Sequence, residues 1–250
     1  MKRLAILDFD GVICDSVWEC LVSSWKAYYE LLIPPPPLSV PLSLKRDFFQ
    51  LRPLVRSGED FVAIQEIIYQ KKNMDSQSDF DVHTNSLGQS AMQEFRKMFY
   101  SARAEILNTD REYWIGLNHI YPHIRENLPF WVDSPLFYIL STKKAEYILE
   151  ILAHNRVNID PARVLTCNQQ KKIDMVLQLL EQTGAHRAYF VDDQIDHLQG
   201  SSDSRVDVAL ASWGYVKKEW LKNTMNIQVL RAEDLGTKLE FLYRPLKEKS

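Results

Sequence analysis

From about residue 136 onward, short apolar runs rich in β-branched and aromatic residues alternate with amphipathic stretches of helical period. This is the sequence form of parallel βα units. With the apolar run at the N-terminus, the pattern predicts strands over 4–9, 136–141, 163–167, 188–192, 206–212 and 227–230. Helices are expected at 144–154 and 172–183. Gly184 stands where a helix end takes the left-handed conformation.

Between the first two strands the pattern changes to helical periodicity with many aromatics and no convincing strand. Helices are expected at 17–32, 61–71 and 90–108, the second preceded by the cap-like Ser57-Gly58-Glu59-Asp60. The run Pro34–Pro37 is expected to close the first helix, because proline supplies no amide donor and forces its predecessor out of helical geometry. Residues 73–90 have few core-forming side chains and read as an exposed loop. The expected architecture is therefore an α/β protein, a doubly wound parallel sheet built from 1–14 and 117–250, with an inserted α-helical domain at 15–116.

Composition narrows the function classes. At 250 residues, 46% hydrophobic and 25% charged, the chain reads as a soluble globular protein. A net charge of -3 offers no basic field for a phosphate backbone, so nucleic acid is not an expected partner. The apolar run Leu4 to Leu7 is too short for a signal-peptide core or a membrane span, and a cytoplasmic protein is expected. Cys14, Cys20 and Cys167 are odd in number and form no CxxC pair, which fits free thiols in a reducing compartment.

The chemistry gathers at the ends of strands. The first strand runs into Asp8-Phe9-Asp10-Gly11, two carboxylates spaced i, i+2 and therefore on one side of the chain. Open parallel sheets bind ligands beyond the carboxyl ends of their strands. The second strand ends in Ser141-Thr142-Lys143, where hydroxyls and amides can hold an anion. After the third come Gln169-Gln170-Lys171-Lys172 at a helix start, an unfavourable place for cations unless an anion lies nearby. The fourth ends in Asp192-Asp193, with Asp196 beyond. Carboxylates converging this way repel one another unless a cation such as Mg²⁺, which favours oxygen ligands, neutralises them.

These four elements, in this order, resemble the motifs of the haloacid dehalogenase-like superfamily, and in particular its phosphoglycolate phosphatase-like members with a helical cap inserted after the first motif. The resemblance implies a Mg²⁺-dependent phosphatase acting on a small phosphorylated metabolite, as monomer or homodimer and without a membrane. Asp8 resembles the nucleophile that becomes an aspartyl phosphate, and Asp10 the general acid and base. Ser141 resembles the hydroxyl that binds the phosphoryl group, with Thr142 as alternative. Lys172 resembles the charge-compensating lysine, with Lys171 as alternative. Asp8, the Asp10 carbonyl, and Asp193 with or without Asp192 resemble the metal ligands. Asp192 stands where many members have glycine, and Asp196 could orient Lys172. In capped members a turn of the insert reaches over the active site, which makes Arg52 and Arg56, in Arg52-Pro53-Leu54-Val55-Arg56-Ser57-Gly58, substrate-binding candidates. A phosphomutase and a catalytically weak binding module are the alternative readings.

Other features carry less. His119 and His123 have a ligand-like spacing for a helix, but Pro122 interrupts it and no third ligand is apparent. No nucleophile elbow surrounds Ser90, and no GxxxxGK[ST] loop occurs. Trp213-Gly214-Tyr215, after the fifth strand, could line the crevice, but aromatics beyond a strand are more often packing.

Overall fold

The computed structural model describes residues 2–31, 39–167, 170–200, 203–222 and 227–243. The chain divides into two compact units, Ser16–Asn118 on one hand and Met1–Asp15 with His119–Ser250 on the other.

The first unit is helical: α1 (Val17–Tyr28), α2 (Leu42–Leu51), α3 (Gly58–Tyr69), α4 (Gln77–Thr109) and α5 (Arg111–Gly116). Its apolar centre includes a run of stacked rings, Phe48 on Phe61 at 6.1 Å and Phe61 on Phe99 at 5.1 Å. A buried polar node ties three helices together. Glu19 of α1 accepts two hydrogen bonds of 2.8 Å from the Arg103 guanidinium of α4 and one of 3.1 Å from Trp114 Nε1 of α5. Ser23 Oγ donates a fourth at 2.8 Å, so the buried carboxylate is fully satisfied.

Two elements of this unit depart from the sequence pattern. Residues 73–90 are mostly helix rather than loop: α4 begins at Gln77 and runs to Thr109, broken only where Gly88 takes φ 81°, ψ 161°. Its start is a reciprocal cap, Asp79 N donating to Ser76 Oγ at 3.1 Å and Ser76 N to Asp79 Oδ2 at 2.9 Å. Before the break only Phe80 and His83 are buried, a stripe too thin to register as amphipathic. Helix α2 was also not expected; it buries Leu44, Phe48 and Leu51, at i, i+4 and i+7. The first helix ends at Tyr28, and the proline run lies outside the described residues.

Burial shapes the start of α3. Asp60 Oδ2 accepts from the backbone N–H groups of Arg56 at 2.8 Å and Ser57 at 3.1 Å. Burial nevertheless pushes its carboxyl up to about 6. Because the folded value exceeds the ordinary 3.8, Asp60 favours the folded state most at low pH, and that contribution is lost as pH rises from about 4 through about 6. Asp60→Asn keeps an acceptor for both amides without the charge. Its unfolding free energy relative to the natural protein, followed by urea titration, is expected to improve across this window; an advantage that shrank with rising pH would contradict the assignment.

The second unit carries β1 (Arg3–Leu7), β2 (Cys14–Asp15), β3 (His119–Ile120), β4 (Phe137–Ser141), β5 (Val164–Thr166), β6 (Arg187–Asp192), β7 (Val206–Ala211) and β8 (Gln228–Leu230). Its helices are α6 (Pro122–Arg125), α7 (Leu128–Asp133), α8 (Ala145–His154), α9 (Lys172–Thr183), α10 (Ile195–Leu198) and α11 (Leu235–Lys238). Six parallel strands form one sheet in the order β5-β4-β1-β6-β7-β8, with boundaries within two residues of the pattern's. This is the expected doubly wound α/β core. Leu4 to Leu7 of the central strand are inaccessible to solvent, as expected of a strand covered on both faces. Helix α9 ends at Gly184 with φ 62°, ψ 27°.

The chain leaves this unit at β2 and returns at β3, which pair antiparallel through Cys14 with Ile120 and Asp15 with His119. This small ribbon was not foreseen, because two residues on each side carry no readable period. It places His119 on a strand and His123 in the following helical turn, so the two do not share a helix face.

Candidate active site

The order β4-β1-β6 brings three strand ends side by side: Asp8 and Asp10 after β1, Ser141 at the end of β4, and Asp192 and Asp193 at the end of β6. All of these residues belong to the α/β unit. Beside them lies Lys172, the first residue of α9, with its side chain 1% exposed. Its ammonium is 2.7 Å from Asp192 Oδ2 and 3.0 Å from Asp8 Oδ2. Lys171, the preceding residue, is exposed and stands just before the helix without capping it through its side chain, so geometry separates two lysines that the sequence could not.

The carboxylates differ in their surroundings. Burial raises the Asp8 carboxyl to about 6, with Asp192 and Asp10 adding to the rise and Lys172 and His197 opposing it. Burial acts in the same direction on Asp192, but Lys172 and His197 outweigh it and hold this carboxyl well below the usual range. Asp192 is the better-supplied partner: besides Lys172 it accepts from Gln194 N at 2.8 Å and lies 3.2 Å from His197 Nδ1 through both oxygens. Lys172 is itself raised, burial being outweighed by Asp192 and Asp8. Asp10 is more open, with a side chain 17% exposed, and its Oδ1 accepts from Lys143 Nζ at 2.8 Å.

Asp193 is enclosed by glycines and a returning loop. Its Oδ2 accepts from Tyr215 N at 2.8 Å. A Cβ on Gly11 would lie 2.0 Å from that oxygen, and one on Gly214 would lie 2.4 Å from both Asp193 Cβ and the Gly11 carbonyl oxygen. The segment 213–215 is thus more than packing. Trp213 Nε1 donates to Val12 O at 3.0 Å and the Tyr215 hydroxyl to Asp15 Oδ1 at 2.7 Å, which fastens the loop after β1 at several points.

Ser141 is buried and its Oγ accepts from Lys143 N at 3.3 Å, while Thr142 is half-buried and lines a cavity of about 160 Å³ with Lys171, Lys172 and His197. Asp196 lines the same cavity, and its neighbour His197 joins Lys172 in approaching Asp192. Sequence reasoning missed both His197 and Lys143, although each is adjacent to a residue it singled out. Arg52 and Arg56 lie in the helical unit. Arg52 is buried with its guanidinium 5.1 Å from the Phe61 ring centre, and Arg56 makes a two-pronged pair with Asp81.

Asp8, Asp192 and His197 each offer a ligand atom within 4.8 Å of the others. The Lys172 ammonium already bridges the two carboxylates, so a metal ion held by all three would have to displace it. The wider donor set fits a divalent cation on charge. The four carboxylates at these strand ends, Asp8, Asp10, Asp192 and Asp193, outnumber the ammonium groups of Lys143 and Lys172 by two, which leaves two negative charges to be balanced.

Comparison with known proteins bears on the fold. No family model and no curated protein sequence matches the chain. Solved structures do match over nearly its whole length. A proposed phosphoglycolate phosphatase from Lactobacillus delbrueckii subsp. bulgaricus superposes with a TM-score of 0.66 at 15% identity, covering 96% of this chain and 99% of that one. A haloacid dehalogenase-like family hydrolase from Streptococcus pneumoniae gives 0.60 at 15% identity, covering 96% and 98%. Protein tyrosine kinase A of Mycobacterium tuberculosis gives 0.57 at 16% identity, covering 95% and 98%. The fold is haloacid dehalogenase-like, and the chain resembles phosphatases and hydrolases of that class.

The glycines around Asp193 make a testable contrast. Gly11 has φ +87° and no room for a Cβ, whereas Gly184 has φ +62° with nothing within 4 Å. Gly184→Ala is expected to cost about 1–2 kcal/mol from backbone strain alone. Gly11→Ala adds the displacement of Asp193 and is expected to cost about 3 kcal/mol or more. Equal losses in urea unfolding would mean that Asp193 can move aside freely.

Proposed function

We propose that this protein is a Mg²⁺-dependent phosphatase that hydrolyses a small phosphorylated metabolite through an aspartyl phosphate on Asp8. The observation that carries the reading is the pair of carboxylates at the carboxyl end of the central strand, each beside a different buried lysine. Asp8 is the less solvated of the two and sits against Lys172, which suits a nucleophile approached by an anionic phosphoryl group. Asp10 is the more open and suits proton exchange with the leaving oxygen and then with water. Ser141, at the end of the neighbouring strand, is the hydroxyl for the phosphoryl oxygens, with Thr142 as the alternative donor. Asp8, Asp193 and the Asp10 carbonyl would hold Mg²⁺, with Asp192 given mainly to Lys172. When bound, the cation supplies charge neutralisation between nucleophile and phosphate.

In this reading the α/β unit is the catalytic core and the helical unit a cap that confers selectivity. Arg52 and Arg56 are weaker substrate ligands than their type suggests, since recognition by Arg56 would require giving up Asp81. Among the described residues no helix is long and apolar enough to cross a membrane, in keeping with a proposed cytoplasmic enzyme acting on soluble substrates. A phosphomutase would use the same carboxylates but return the phosphoryl group to the substrate.

The test is phosphate release over a panel of phosphorylated metabolites, with Mg²⁺ and with chelator. Turnover is expected only with the metal; undiminished release in excess chelator would refute the metal dependence. Asp8→Asn should abolish turnover, and Asp10→Asn should reduce it by roughly 10²- to 10⁴-fold, the range for one positioned acid/base. Transfer between positions of one sugar without net phosphate release would favour the mutase.

A further inference from the structure

Lys143 is a buried cation beside the candidate catalytic carboxylates to which the sequence motifs give no role. Its side chain is 1% exposed, and its ammonium is 2.8 Å from Asp10 Oδ1 and 5.6 Å from the centre of the Phe9 ring, the residue between the two candidate catalytic carboxylates. The backbone around it is pinned from two strands. Lys143 N donates to Ser141 Oγ at the end of β4, and Thr166 Oγ1 at the end of β5 donates to Lys143 O at 3.4 Å while accepting from Ala145 N at 2.9 Å. A lysine fixed in this way does not act as a mobile surface charge. Burying an ammonium is costly without a partner, and here Asp10 supplies one.

We propose that Lys143 is a positioning residue for Asp10, holding Oδ1 so that Oδ2 is the oxygen that exchanges protons with the reacting groups. The inference rests on the phosphatase reading given above. In the first step the Asp8 carboxylate forms a bond to phosphorus, the bond from phosphorus to the ester oxygen breaks, and that oxygen takes the proton from Asp10 Oδ2. In the second a water oxygen attacks phosphorus, its proton passes to Asp10 Oδ2, and the Asp8 carboxylate departs. An acyl phosphate needs no proton on its leaving group, so only the second step then depends on how Asp10 is held. Lys172 has the complementary task at Asp8, and the two lysines divide the motif between them.

The experiment uses acetyl phosphate with Mg²⁺ on the full chain, with intact mass after rapid quenching. Loading of the phosphoryl group is timed first, and its decay is followed after dilution into excess chelator-free buffer without donor. Lys143→Met is expected to load within about threefold of the natural rate while its phosphorylated form decays about 10²-fold more slowly. Loading and decay slowed alike would mean that Lys143 contacts the phosphoryl group or merely shapes the site, and unchanged decay would mean that Asp10 does not need it; either overturns the proposal. Should Lys143→Met fail to fold, Lys143→Arg carries the same comparison, since a planar guanidinium cannot place a donor at the same point: decay slowed more than loading supports the proposal, and any other result overturns it. Asp8→Asn is the control for the underlying reading. An adduct that persists there, or none in the natural protein, refutes the aspartyl phosphate itself, an outcome visible without altering Lys143.

Discussion

The constraint on which this structure turns is the enclosure of several carboxylates at one edge of a parallel sheet. Asp8, Asp192 and Asp193 are each at most 5% exposed, and charges so poorly solvated must be paired and hydrogen-bonded where they stand. Lys172 supplies the pairing for two of them and a backbone amide of the returning loop serves the third. The glycines at 11 and 214 follow from the same demand, because the space in which a side chain would lie is taken by the Asp193 carboxylate and the Gly11 carbonyl. The loop at 213–215 is fastened to the loop after β1 for the same reason: the carboxylate must be held, and backbone donors hold it without adding charge.

Within this cluster the neighbouring acids are made chemically unlike. Asp8 and Asp10 are two residues apart, yet one is buried against a shared lysine and the other is partly open beside a lysine of its own. Asp192, against the same lysine as Asp8, is held in its ionised form while burial raises Asp8 to about 6. Environments that push like groups apart are how one site comes to hold different proton-transfer roles. His197 extends this arrangement by approaching Asp192 from the short helix that follows β6.

The helical unit obeys a separate logic. Its cohesion comes from stacked rings and from one buried carboxylate, Glu19, on which α1, α4 and α5 converge. Its arginines at 52, 56 and 103 all have partners inside the unit. The likeness to solved structures extends over this unit as well as the sheet, but folds of this class include a protein named as a tyrosine kinase alongside hydrolases. Fold therefore limits the reaction less than the carboxylate site does.

Local information determined what recurs with a period or depends on a backbone conformation. All six strands of the sheet, the helix at 172–183 and its glycine stop were legible because each is a run of apolar residues bounded by a breaker. The helix over 77–87 was not, since its buried face is only Phe80 and His83 and its cap, Ser76 with Asp79, is a weak signal amid polar residues. At the site, residue types and order pointed to Asp8, Asp10, Ser141 and Asp192-Asp193. Only the tertiary structure decided that Lys172 rather than Lys171 turns inward, that His197 approaches Asp192, and that Lys143 is buried against Asp10. The reason is geometric. Adjacent residues of like chemistry are indistinguishable along a chain, and they separate only when a helix start fixes which of the two faces the strand ends and which faces water.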